Sequence, residues 1–113
     1  MRLRVSGLPE EPGGERTLRP EAAELLVARA LKRFDHVLAD VEVHFGGAGP
    51  RGALDLTCRT TAGLRSGEIL RTSATADRPE TSLRHALQRL RRLLARRAER
   101  RVSTRTRNLA RSA

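Results

Sequence analysis

Among its 113 residues the chain has one cysteine, one lysine, two phenylalanines, and neither tryptophan nor tyrosine. Each shortage excludes something. A lone Cys58 cannot form an internal disulfide, as expected of a cytosolic protein. Phe34 and Phe45 both fall at core positions, which leaves no stacking platform of the kind on which sheet-type single-strand binders lay bases. No apolar run approaches the ~18 residues of a spanning helix, and the opening MRLRVSG has no signal-peptide core. These features predict a cytoplasmic protein. His36, His44, His85 and Cys58 show neither the i, i+4 nor the C-x-x-C spacing of a metal site. They also fail to combine with carboxylates into a nucleophile, base and orienter. The sequence therefore predicts no enzyme, no metal, no cofactor and no small-molecule substrate.

What the chain has in excess is arginine, and nearly all of the surplus lies in one place. Residues 1–77 hold eleven Lys/Arg and eleven Asp/Glu, whereas residues 78–113 hold twelve arginines against Glu80 and Glu99. The whole net charge of +10 thus sits in the final third. Asymmetry of this kind points to a polyanionic partner, nucleic acid first and an acidic membrane surface second.

The stretch Thr81–Arg101 carries that charge on a helical pattern. Leu83, Ala86, Leu87, Leu90, Leu93, Leu94 and Ala98 recur at i, i+3, i+4 and i+7, the rhythm of a helix with one face to bury. Its other positions include Arg84, Arg89, Arg91, Arg92, Arg96, Arg97, Arg100 and Arg101. Surface helices usually mix signs, because each like-charge i, i+4 pair costs about 0.2–0.5 kcal/mol. Arg92–Arg96, Arg96–Arg100 and Arg97–Arg101 are such pairs. A helix built this way gives up stability alone and recovers it against phosphate. A membrane surface is the weaker partner, since the apolar stripe is needed by the rest of the fold and contains no Trp or Phe anchor.

Taken in order, RLRVS (2–6) alternates as a short strand, and GLPEEPGGER (7–16) is a loop. A helix follows, with Thr17 as N-cap, Pro20 in its first turn and a stripe of Ala22, Ala23, Leu26, Val27, Ala30, Leu31 and Phe34. Arg29, Lys32 and Arg33 ride its polar side. Asp40–Phe45 alternates with Val41, Val43 and Phe45 inward, and ALDLTCRTT (53–61) is a third strand with Leu54, Leu56 and Cys58 on one face. TAGLRSG turns the chain into a weaker fourth strand, Glu68–Ala76, diluted by Thr72, Ser73 and Thr75. Asp77 and Glu80 can form a capping box for the last helix. Residues 102–113 are a basic, patternless tail, expected to be disordered when free.

The order β-α-β-β-β-α predicts an α+β domain over residues 1–101: a four-stranded mixed sheet with both helices on one face, as in double-stranded-RNA-binding domains. The β-α-β start should give a parallel pair and the later hairpins antiparallel ones. The segment Gly47–Gly52 spells G-x-G-x-x-G after a strand, but a dinucleotide fingerprint needs a helix to open there, and ALDLTCRT is a strand. It reads as a hairpin loop.

This element order, the junction ALKRFDHVLADVEVHF and the run SATADRPETSLRHALQRLRRLL resemble the ribosome hibernation-promoting factor family, also known as ribosome-associated inhibitors or sigma-54 modulation (S30EA-type) proteins. VEVHFGGAGPRGALDLTCRT looks like a short, divergent branch. The resemblance implies a translation inhibitor of bacterial resting or stressed cells that binds the small ribosomal subunit and its rRNA in the mRNA/tRNA channel. It implies RNA-binding roles for Arg29, Lys32, Arg33, Arg84, Arg89, Arg91, Arg92, Arg96, Arg97, Arg100 and Arg101. Arg89-Leu90 matches a Lys-Leu common in the family's last helix, whereas Leu93 replaces a Gln three residues beyond that Leu, so one polar contact has no counterpart. Long members add a ribosome-pairing domain; none follows here, and direct dimerisation of ribosomes through one is not expected. The competing readings are a general double-stranded RNA binder and an interaction module for an acidic protein.

Overall fold

A computed structural model describes residues 1–8, 18–47 and 56–112, with backbone alone for residues 99–112. Strand β1 is Arg2–Ser6, with Leu3 and Val5 half-buried between exposed Arg2 and Arg4. Helix α1 spans Pro20–Leu31, and a 3-10 turn, Lys32–Phe34, extends it. Pro20 sits where a missing N–H leaves no gap in the helix ladder. The N-cap is Arg19, with no side-chain cap hydrogen bond, while Thr17 lies outside the described residues. Ala23, Val27, Leu31 and Phe34 are buried, Leu26 and Ala30 half-buried and Ala22 exposed, so the apolar stripe is narrower than the periodicity predicts.

Strands β2 (Leu38–Gly46), β3 (Leu56–Leu64) and β4 (Ile69–Ala76) precede helix α2 (Pro79–Ser112). The sheet order is β1-β2-β3-β4. β1 and β2 are parallel across the α1 crossover, and β2–β3 and β3–β4 are antiparallel. α2 packs across β3 and β4, and α1 packs against β1 and α2. Val41, Val43, Phe45, Cys58, Ala62, Leu64, Leu70 and Ala74 supply the sheet's side of the core; Leu83, Ala86, Leu87, Leu90 and Leu94 supply the helix side. The α+β class, the element order and the strand directions are those expected. The connection between β2 and β3, with most of the Gly46–Gly52 loop and Leu54, lies outside the described residues. It joins two antiparallel strands, as a hairpin reading requires.

Three local expectations change. First, β3 runs through Leu64, so the turn shrinks to Arg65–Gly67. Inward positions Cys58, Thr60, Ala62 and Leu64 keep the two-residue period that Thr and Gly had disguised. The Leu64 N–H donates to the Glu68 carbonyl at 2.8 Å, and Gly67 takes φ 93°, a backbone conformation that suits glycine. Second, α2 begins at Pro79, and Glu80 accepts hydrogen bonds from Arg84 rather than closing a capping box with Asp77. Third, α2 continues past Arg101 to Ser112, because no Gly or Pro interrupts it after Pro79. The 34-residue helix is about 51 Å long.

The threonines that weaken the β4 pattern have a structural reason. Thr60 and Thr72 pair across β3 and β4 on the inner face, their hydroxyls hydrogen-bonded to each other. The Thr72 hydroxyl donates to the Ala86 carbonyl of α2 at 2.9 Å. A polar chain thus crosses the sheet–helix interface with its hydroxyl groups satisfied.

Thr72→Val keeps the shape but strands the hydroxyl of Thr60, a residue only 1% exposed. Urea unfolding should show a loss of about 1–3 kcal/mol, largely recovered when Thr60→Val is added, because removing both partners leaves no orphan. A second test concerns Cys58, whose burial pushes the thiol from 9.0 up to about 12. Between those values the unfolded state releases a proton that the folded state keeps, so stability should fall as pH rises above 9. Cys58→Ala should lack this contribution, and a thiol reagent should modify native Cys58 only as the protein unfolds.

Candidate nucleic-acid interface

Burial of the leucine stripe decides which arginines of α2 face outward. At about 100° per residue, Arg92 and Arg96 lie roughly 180° and 220° around the helix from Leu83, and Arg89 at about 240°. All three are exposed, and with His85 they form a row along the helix. Arg91 is exposed on the other flank.

The predicted arginines are not equivalent. Arg84 pairs with Glu80 at 2.9 Å, both largely solvent-exposed. Arg97 is half-buried and paired with Glu68 just before β4, which holds α2 to the β3–β4 turn. Arg89 donates from its Nη1 to the Ser73 carbonyl on the outer edge of β4. It thereby covers part of an unpaired strand edge, a place where charge discourages strand addition. Among the described residues, Arg91, Arg92 and Arg96 have no ion pair and remain available to a partner. The helix continues through Arg100 and Arg101, whose side chains lie outside the description.

On the first helix, Arg29 is exposed in the last turn, and Lys32 and Arg33 are exposed on the 3-10 turn. Arg33 stands over the Phe34 ring, 5.6 Å from its centroid. Both helices lie in one layer, so all of these cations belong to the helical side of the molecule. His36 is exposed in the turn before β2, and His44 shares a 3.0 Å hydrogen bond with the Ser6 hydroxyl on the open sheet face. Among the described residues, no three His, Cys, Asp or Glu side chains group to hold a metal ion, and no helix is long and apolar enough to cross a membrane.

Basic residues outside the predicted set that also face solvent include Arg78 just before α2, Arg59 on β3 and Arg71 on β4. The strand pair could have been found from the alternation, because both fall out of phase with the inward positions Cys58, Leu70 and Ala74. Arg59, Arg71 and Arg89, with Thr61 and Ser73, line an open groove of about 610 Å³.

No protein-family model matches the sequence, and none of the curated proteins matches it. Solved structures do. A ribosomal subunit interface protein from Coxiella burnetii superposes with a TM-score of 0.57 at 15% identity, over 87% of this chain and 96% of the other. The N-terminal domain of Protein Y from Thermus thermophilus gives 0.55 at 16% identity, over 84% and 93%. The chain therefore has the fold of these proteins, the one that the sequence resemblance implies.

The unequal commitments of the arginines are measurable. A double-mutant cycle between Glu68→Ala and Arg97→Ala should give a coupling of about 0.5–1 kcal/mol in urea unfolding, in the range of half-exposed pairs. The same cycle with Arg92→Ala should give a coupling near zero.

Proposed function

We propose that the protein is a non-enzymatic, ribosome-associated translation inhibitor. It docks on the small ribosomal subunit, in the mRNA/tRNA channel, and holds idle ribosomes inactive by occluding the decoding region. Arg91, Arg92 and Arg96 grip rRNA phosphates, with Arg29, Lys32 and Arg33 of the first helix and the distal part of α2 adding contacts. The observation that carries this reading is a row of exposed arginines with no acidic partner among the described residues, on a helix whose apolar side is already used by the sheet. The fold shared with a ribosomal subunit interface protein supports the choice of partner.

The chemistry suits phosphate more than base edges. Guanidinium groups fork onto phosphate oxygens, and each contact releases condensed counterions, so affinity falls steeply with salt. Both phenylalanines are buried and the chain has no Tyr or Trp, so it lacks the large exposed rings of a stacking platform. Recognition then runs through the RNA backbone and its shape.

Sedimentation with purified small subunits tests the proposal. Binding should be clear at ~50 mM salt and decline sharply by ~200 mM. Arg92→Glu/Arg96→Glu should lower the slope of log affinity against log salt by roughly 1.8 while leaving the thermal melt intact. No co-sedimentation of the parent chain at low salt would sink the reading. Equal competition by plain duplex RNA would replace it with general double-stranded RNA binding, and association that survives nuclease would point to an acidic protein partner.

A further inference from the structure

The open face of the sheet carries its charges unevenly. On the β1–β2 side the parallel register sets Arg2 opposite Asp40 and Arg4 opposite Glu42, so each cation has an acid across from it. On the β3–β4 side Arg59 lies opposite Ser73 and His44, and Arg71 lies opposite Thr61. Neither has an acid as its cross-strand neighbour. The two arginines occupy a diagonal of the pair, a separation of roughly 7–8 Å that long side chains span. Glu42 stands on the diagonal of Arg59 across β2, whereas no acid stands opposite or diagonal to Arg71.

A third guanidinium joins them from the other layer. Arg89 leaves α2, reaches the free edge of β4 and is held there by the Ser73 carbonyl. The groove lined by Arg59, Arg71 and Arg89 also presents Thr61 and Ser73, and among the described residues no carboxylate lines it. Three cations from three elements, flanked by hydroxyl donors, make a site for a phosphate oxyanion. Its position gives it a direction as well. The row Arg96, Arg92, Arg89 descends α2 toward the β4 edge, and Arg71 and Arg59 continue it onto the far side of the sheet.

We propose that this groove is a second phosphodiester-binding site. The RNA gripped by α2 passes around the β4 edge, and its backbone is held by Arg59 and Arg71 on the open sheet face. The inference rests on the proposed RNA-binding function and extends it from the helical layer to the opposite face of the molecule.

The test compares the full-length chain with Arg59→Gln/Arg71→Gln and with Arg59→Lys/Arg71→Lys, using equilibrium binding to small ribosomal subunits over a salt series. Circular dichroism melts check that each variant is folded. Losing two phosphate contacts should cut the salt slope by roughly 1.4–1.8, and the lysine variant should retain most of it. Amide shifts on adding a short RNA duplex should include Arg59, Arg71 and Ser73. A folded glutamine variant with the parental slope, and no shifts at these amides, would overturn this inference while leaving the helical site standing. Failure of the parent chain to bind at low salt would overturn both. Should the glutamine variant fail to fold, the amide shifts of the parent chain decide the question alone.

Discussion

The burial of one leucine stripe governs the rest of this molecule. Leu83, Leu87, Leu90 and Leu94 are buried beneath the sheet, with Ala86 among them, and each leucine contributes about 1.5–3 kcal/mol. The like-charge pairs on the opposite side cost about 0.2–0.5 kcal/mol each. The apolar side therefore wins by a wide margin, and α2 can carry a row of cations that have no ion pair among the described residues. The same burial sets the rotation of the helix about its axis. Two polar contacts hold that rotation at separate points, from the Thr72 hydroxyl to the Ala86 carbonyl and from Arg97 to Glu68. Which arginines face solvent is thus decided by the packing on the other side.

The architecture could be read in the sequence because it rests on two periods. Alternation in RLRVS and DVEVHF, and the 3.6-residue recurrence in both helices, are local properties that packing preserved. Boundaries were less legible. The strand through Ala62 and Leu64 was hidden by threonines whose hydroxyls are satisfied by partners distant in sequence, and the far end of α2 carries no apolar pattern, only an absence of breakers. The candidate site was legible as a charge and not as an arrangement. Twelve arginines after residue 77 mark where the positive charge collects. That Arg84 and Arg97 are paired, while Arg92 and Arg96 have no ion pair among the described residues, depends on where Glu80 and Glu68 stand. Of these, only the Glu80–Arg84 pair is a short-range i, i+4 relation. Arg59 and Arg71 look like ordinary solvent-face residues until the register brings them onto one diagonal and Arg89 arrives from the other layer.

The polar chain through Thr60, Thr72 and Ala86 also shows why β4 tolerates a weak apolar pattern. As an edge strand it has one paired neighbour, β3, and much of its attachment comes from the helix above. A hydroxyl bonded to a helix carbonyl contributes direction where an isoleucine would contribute only area. Arg89, bonded to the Ser73 carbonyl from outside, covers the same strand's exposed edge.

The separation of charge along the chain has a kinetic consequence. A first 77 residues of zero net charge, followed by a long cationic helix, make the molecule an electric dipole as well as a cation. In the field of a polyanion a dipole feels a torque at distances where no side chain has yet touched anything. The molecule turns its helix toward the charge while still diffusing, so a larger share of encounters begins in a productive orientation than its small surface would give by chance. The first 77 residues, neutral in sum, do not oppose that rotation.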